Sequence, residues 1–128
     1  MECSSKQWRV GMTSFVLCVC GGRDYQDRER VFSTLDRVHS KRPVTLLVHG
    51  DASGADSLAA AWAIVQGVQI RAFPAAWNKH GRRAGPIRNS EMVACGIDGL
   101  VAFPGGNGTA DMVRQAYAAG VAVMEVVT

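Results

Sequence analysis

Apolar residues along this chain come in short β-rich runs separated by segments of helical period. Residues 14–20 (SFVLCVC), 44–48, 69–73, 99–103 and 121–127 are such runs. The first lacks flanking polar alternation, the signature of a strand buried on both faces of a parallel sheet, and 44–48 reads as a second buried strand. After the first run, Val31, Leu35 and Val38 recur at helical spacing, with Arg28, Glu29, Arg30, Asp36 and Arg37 on the other side. Asp27 is a suitable N-cap for this helix, and Pro43 closes the segment. Residues 54–66 predict an alanine-rich helix whose small side chains allow close packing on a sheet. A long connection at 74–86 precedes a third helix from Pro86 or Ile87 to about Cys95, because Pro suits a first helical turn. A fourth helix follows residues 104–109 and runs to Ala119, with Gly120 as its stop. Residues 1–11 show no usable period and read as a loose leader, so one domain is expected over 12–128.

Five apolar strands alternating with four helices predict an α/β domain. The expected architecture is a three-layer, Rossmann-like open parallel sheet of about five strands, with helices on both faces and the order 3-2-1-4-5. In such sheets ligands bind beyond the carboxyl ends of the strands, where the strand order reverses. With this order, strands one and four are neighbours. Their carboxyl ends carry Gly21-Gly22-Arg23-Asp24 and Pro104-Gly105-Gly106-Asn107-Gly108-Thr109. The two most glycine-rich segments are therefore expected to face each other across the crevice.

Composition narrows the picture. At 128 residues the chain is long enough to bury roughly two thirds of its unfolded surface, so neither disulfides nor a structural metal are needed. Cys3, Cys18, Cys20 and Cys95 are too few and too irregular for a disulfide scaffold or a paired CxxC zinc site, and they suggest a reducing, cytoplasmic setting. Cys18 and Cys20 share one face of a strand and read as small packed hydrophobes. No apolar stretch approaches the roughly 20 residues of a membrane span, and no membrane contact is expected. A formal charge of +3 is small for a protein that coats DNA, which makes nucleic acid an unfavoured partner. The charge is unevenly spread: no acidic residue lies between Asp56 and Glu91, whereas Arg71, Lys79, Arg82, Arg83 and Arg88 do. This stretch reads either as an anion site or as a solvated basic loop.

The segment PGGNGT lies between a strand and a helix. Its glycines let the backbone approach a ligand, and the helix behind it presents free N–H groups to an anion. Thr109 serves there as a hydroxyl donor or as a helix cap. The segment is neither a Walker A loop nor a GxGxxG fingerprint, so classical NAD or ATP use is not supported, and no cofactor or metal is expected. In GGRDY, Arg23 is able to grip a phosphate, while Asp24 either pairs with Arg23 or accepts hydrogen bonds from a ribose. In HGDASGAD, Gly50 and Gly54 are turn residues, Asp51 or Ser53 caps the next helix, and Asp56 is accounted for by the helix dipole. His49, at the end of the second strand, is a candidate contact, although such a His is more often structural. Trp77, Arg82, Arg83, Arg88 and Asn89 combine a stacking surface, cations and an amide, the set that holds a base and a phosphate. Among these cations Arg88, beside apolar Ile87 and Met92, is the one expected to enter the crevice. No Ser or Cys stands in a GxSxG-like setting, and no nucleophile triad is visible.

Taken in order, GGRDY, HGDASGAD, Trp77, GPIRNSEM and FPGGNGTADM resemble the YspA-type group of the SLOG superfamily, over nearly all of residues 14–127. That superfamily also includes the lonely-guy phosphoribohydrolases, DprA-like DNA-processing proteins and sensors of nucleotide-derived second messengers. The resemblance implies a Rossmannoid nucleotide pocket made by the glycine-rich turns, and a homodimer, for which the apolar helix at 58–65 is one candidate surface. Lonely-guy enzymes pair an Arg, in a motif similar to Arg88-Asn89-Ser90-Glu91-Met92, with a Glu in PGGxGTxxE. Arg88 matches, but the Glu position is Met112, and Asp111 lies one residue early, about 100° away around a helix. This departure favours binding over turnover. The expected function is to hold a nucleoside phosphate or ADP-ribose-like ligand, as a sensor or sequestering protein of the kind used in phage–host conflict. The alternatives are a nucleotide N-glycosidic hydrolase, with Arg88 and Asp111 as its catalytic residues, and a DprA-like single-stranded DNA binder.

Overall fold

The computed structural model describes residues 14–127, so the expected leader at residues 1–11 lies outside the described residues. Strands β1 (Val16–Cys20), β2 (Leu46–His49), β3 (Gln69–Ala72), β4 (Gly99–Ala102) and β5 (Ala122–Glu125) pair in parallel in the order β3-β2-β1-β4-β5. The helices are α1 (Arg28–Lys41), α2 (Ala55–Gln66), α3 (Trp77–His80), α4 (Ala84–Ala94) and α5 (Asn107–Ala118), with a 3-10 turn at Gly81–Arg83. The chain builds outward from β1 through β2 to β3, then returns to lay β4 on the other side of β1. The Rossmann-like architecture and its strand order are those the sequence predicts.

The apolar run of β1 serves both faces. Leu17 and Val19 pack with Val31 and Leu35 of α1 and with Ala59, Trp62 and Ala63 of α2. Val16, Cys18 and Cys20 point the other way, toward Met92 of α4 and Met112 and Ala116 of α5. This period of two is why a continuous apolar run suits a strand between two helical layers. Burial on both faces, expected of the first strand, holds for β1 and also for β4, whereas β3 and β5 are partly exposed edges. The Asp98 carboxylate accepts from Val16 N–H at 2.9 Å and its own N–H donates to Val16 O at 2.8 Å, fixing the register of β1 and β4 at their start.

Local chemistry sets the helix ends. Asp27 caps α1 by accepting from Arg30 N–H at 3.0 Å. Trp62 is fully buried and donates its indole N–H to Asp36 at 2.8 Å, which ties α2 to α1. The connection at 74–86 departs from expectation: it contains α3 and the 3-10 turn, and α4 starts at Ala84, with Pro86 in its first turn. Pro is tolerated there because first-turn N–H groups have no intrahelical acceptor. Neither α3 nor the 3-10 turn has a buried residue, so no apolar period announced them.

Candidate functional site

Three turns meet at the carboxyl ends of β1, β2 and β4. Gly22 N–H donates to Pro104 O at 2.9 Å, while Gly22 O accepts from Ala55 N–H at 3.2 Å. The Ser53 hydroxyl donates to Arg23 O at 3.2 Å, so it secures a neighbouring turn and leaves α2 without a side-chain cap. Glycine is what permits this contact. A Cβ at Gly21 would lie 2.6 Å from the Cβ of Ala55, and one at Gly105 would lie 2.7 Å from Gly22 N. Gly54 combines a φ of +74° with a Cβ site 2.5 Å from Arg23 O. These glycines are explained by turn packing.

Gly106 and Gly108 have no such reason. Beyond the adjoining backbone, neither has an atom within 4 Å of its would-be Cβ, and Gly106 has a φ of −104°, outside the left-handed region. Together with Asn107 they leave the first turn of α5 bare, with no side-chain cap and no acidic residue in that turn. Thr109 does not cap the helix; it lines the cleft.

That cleft has a volume of about 440 Å³ and lies between the turns after β1, β2 and β4 and the start of α4. Arg88 crosses it from α4. Its Nη1 donates to Gly50 O, its Nε donates to Asn89 Oδ1 at 3.0 Å, and no ion pair engages it among the described residues. Buried Asn89 turns its amide N–H toward Gly108 O at 3.2 Å and Asp111 Oδ2 at 3.0 Å. Asp111 also accepts from Gln115 at 2.8 Å and from Arg114 at 3.1 Å. Its carboxylate therefore holds Asn89, which holds the guanidinium.

On the opposite wall, Gly50 N–H donates to Asp56 Oδ2 at 2.9 Å and Ala52 N–H donates to the same oxygen at 3.3 Å. Gly50 thus takes Asp56 on its N–H and Arg88 on its carbonyl. Burial pushes the Asp56 carboxyl above its ordinary range, opposed by the Ala52 and Gly50 hydrogen bonds and by the fields of His49 and Arg88. His49 is buried below the cleft, where Nδ1 accepts from Asp51 N–H at 2.9 Å. This bond secures a turn in which Asp51 takes a φ of +58°.

At the mouth, Trp77 is 46% exposed and Arg23 stacks over its ring at 5.2 Å. Arg23 therefore turns to the indole, and Asp24 is exposed outside the cleft. Arg82 lines the mouth, whereas Arg83 ends the 3-10 turn facing solvent. Pro104 and Gly105 border a separate shallow groove on the far side of their loop, beside Val113 and Val126.

The structure thus gathers Gly21, Gly22, Arg23, Gly50, Trp77, Arg82, Arg88, Asn89, Gly106, Asn107, Gly108, Thr109 and Asp111 around one cleft. Of the candidates, Asp24, His49, Arg83, Pro104 and Gly105 do not line it. Sequence reasoning missed Cys20, Met92 and, above all, Asp56, all of which do. The signal for Asp56 was its position: residues 56, 59 and 63 share one helical stripe, and the other two are buried alanines. Burial pushes the Cys20 thiol up to about 12, so it contributes an apolar wall and no thiolate.

Fold and site together define a doubly wound α/β protein whose cleft opens where the strand order reverses. The model of the YspA, cpYpsA-related SLOG family (YAcAr) matches residues 15–80, from β1 through α3. The Gene 61 protein of Mycobacterium phage D29 is 38% identical over 116 residues, covering 83% of this chain and 91% of that protein. The chain belongs to the YspA, cpYpsA-related SLOG family.

Proposed function

We propose that the cleft binds a phosphate-bearing nucleotide or nucleotide-derived ligand, such as a nucleoside phosphate or an ADP-ribose-like molecule, and that the protein senses or sequesters it. The observation that carries this reading is the bare first turn of α5, in one cleft with a guanidinium that makes no direct ion pair among the described residues. Helix N–H groups and an Arg fork are complementary to phosphate oxygens. Half-exposed Trp77, with Arg23 stacked over its ring, offers an aromatic surface beside which a base can pack at the mouth.

Binding is favoured over hydrolysis by the state of Asp111. Its carboxylate lines the cleft but accepts from Asn89, Gln115 and Arg114, so both of its oxygens are already engaged in orienting the site. The reading is tested by incubating the protein with nucleoside monophosphates, ADP-ribose, NAD and cyclic nucleotides, then denaturing it and identifying the released molecules by mass spectrometry. Intact ligand in stoichiometric amount, absent from Arg88→Ala, is the expected result. Free base with ribose phosphate establishes a hydrolase instead, and retention of nothing from the panel overturns the reading.

A further inference from the structure

Asp56 is 5% exposed, yet it lines the cleft. Oδ2 is occupied by the backbone N–H groups of Gly50 and Ala52, and no hydrogen bond from a described residue goes to Oδ1. Holding an ionisable carboxyl at this depth is unfavourable, since burial raises its pKa. Capping the β2–α2 turn does not require this arrangement, because a Ser or Asn would accept the same N–H bonds without the charge.

Resting on the nucleotide reading above, we infer that Asp56 receives a sugar hydroxyl and that the ligand is a ribonucleotide whose vicinal diol donates to the free carboxylate oxygen. The charges around it narrow the choice. A phosphate is repelled by Asp56, and a cationic amine is repelled by Arg88, which is bonded to the other side of the same Gly50. A neutral donor covalently joined to a phosphate fits both, and the hydroxyls of ribose 5-phosphate are such donors. An exocyclic base amine is the competing donor. The aromatic surface for a base, however, is Trp77, which is 46% exposed at the mouth beside Arg23, whereas Asp56 is buried deeper in the cleft.

The experiment is calorimetric titration of the full chain with AMP, GMP, CMP, UMP and ADP-ribose, each beside its 2′-deoxy and 3′-deoxy forms, with IMP beside AMP. Loss of a hydrogen bond to a charged group predicts that at least one deoxy form binds about tenfold or more weakly than its ribo parent. In Asp56→Asn that preference falls to about threefold or less, since the acceptor is no longer charged. Equal binding of ribo and both deoxy forms overturns the inference and leaves the nucleotide reading standing. A preference that follows the base, with AMP and IMP differing while the deoxy forms do not, also overturns it. Absence of binding by every nucleotide overturns both. The comparison on the unaltered chain decides the matter even where the variant fails to fold.

Discussion

Asp56 is a carboxylate that the fold holds almost out of water, and its effect on stability has a definite sign. An acid whose native pKa is raised takes up its proton more readily in the native than in the unfolded chain. Its contribution is therefore least unfavourable below the ordinary value of 3.8 and becomes more unfavourable as pH rises through the elevated native value. Asp56→Asn removes that dependence while keeping an oxygen for the Gly50 and Ala52 N–H groups. The variant is expected to be more stable than the natural protein at pH 7, with the gain vanishing below about pH 4; urea midpoints across this range measure it. A gain unchanged by pH would show that packing, and not the charge, sets the difference. Gly108 makes the complementary case. Its would-be Cβ meets nothing, so Gly108→Ala is expected to stabilise the chain by about 0.4 to 1 kcal/mol. It is also expected to weaken nucleotide binding about tenfold, by placing a methyl group on the bare turn. A substitution that improves the fold and harms the ligand locates function at that residue. Unaltered affinity would remove the α5 turn from the site.

At the scale of elements, the cleft depends on three turns that lean on one another, and Gly54 is the tightest point. Its positive φ and the adjacent Arg23 carbonyl both exclude a side chain. Gly54→Ala is expected to cost at least about 2 kcal/mol and to lower ligand affinity together with stability, because α2 and the β1 turn must separate. Denaturant unfolding and titration of the same preparation test the coupling; lost stability with full affinity would refute it. These contacts also explain what was legible beforehand. The strands were readable because their apolar runs are bounded by turn residues, whereas α/β alternation fits more than one doubly wound order and 3-2-1-4-5 was taken from the Rossmann-like class. The meaning of the glycines was not readable. Gly21 and Gly106 look alike in sequence, yet one is excluded from bearing a side chain by Ala55 and the other faces open space, a distinction that exists only between elements. The helix α3 escaped for a related reason, since four residues with none buried leave no periodic trace. Arg88 was found because it is a cation beside apolar neighbours, whereas Asp56 was set aside because its place in a first helical turn already had an explanation.

For the whole molecule, the cleft is a seam between the half built from β1, β2, β3, α1 and α2 and the half built from β4, β5, α4 and α5. The two halves share the pairing of β1 with β4, and across the cleft itself Arg88 of α4 reaches the Gly50 carbonyl after β2. A ligand that contacts Arg88, the α5 turn and Asp56 joins both halves, and it has no counterpart site in the unfolded chain. Its binding free energy must then appear in global unfolding. At a ligand concentration of 100 times Kd the native state is expected to gain about 2.7 kcal/mol, and at 1,000 times Kd about 4.1 kcal/mol. For a domain of this size each kcal/mol raises Tm by roughly 3 to 6 °C. Thermal scans over a series of nucleotide concentrations should follow that logarithmic rise and use the same Kd as direct titration. Arg88→Ala should flatten the series. A ligand that binds at its measured Kd without raising Tm along this curve would have to bind the unfolded chain as well, and the seam would not be its site.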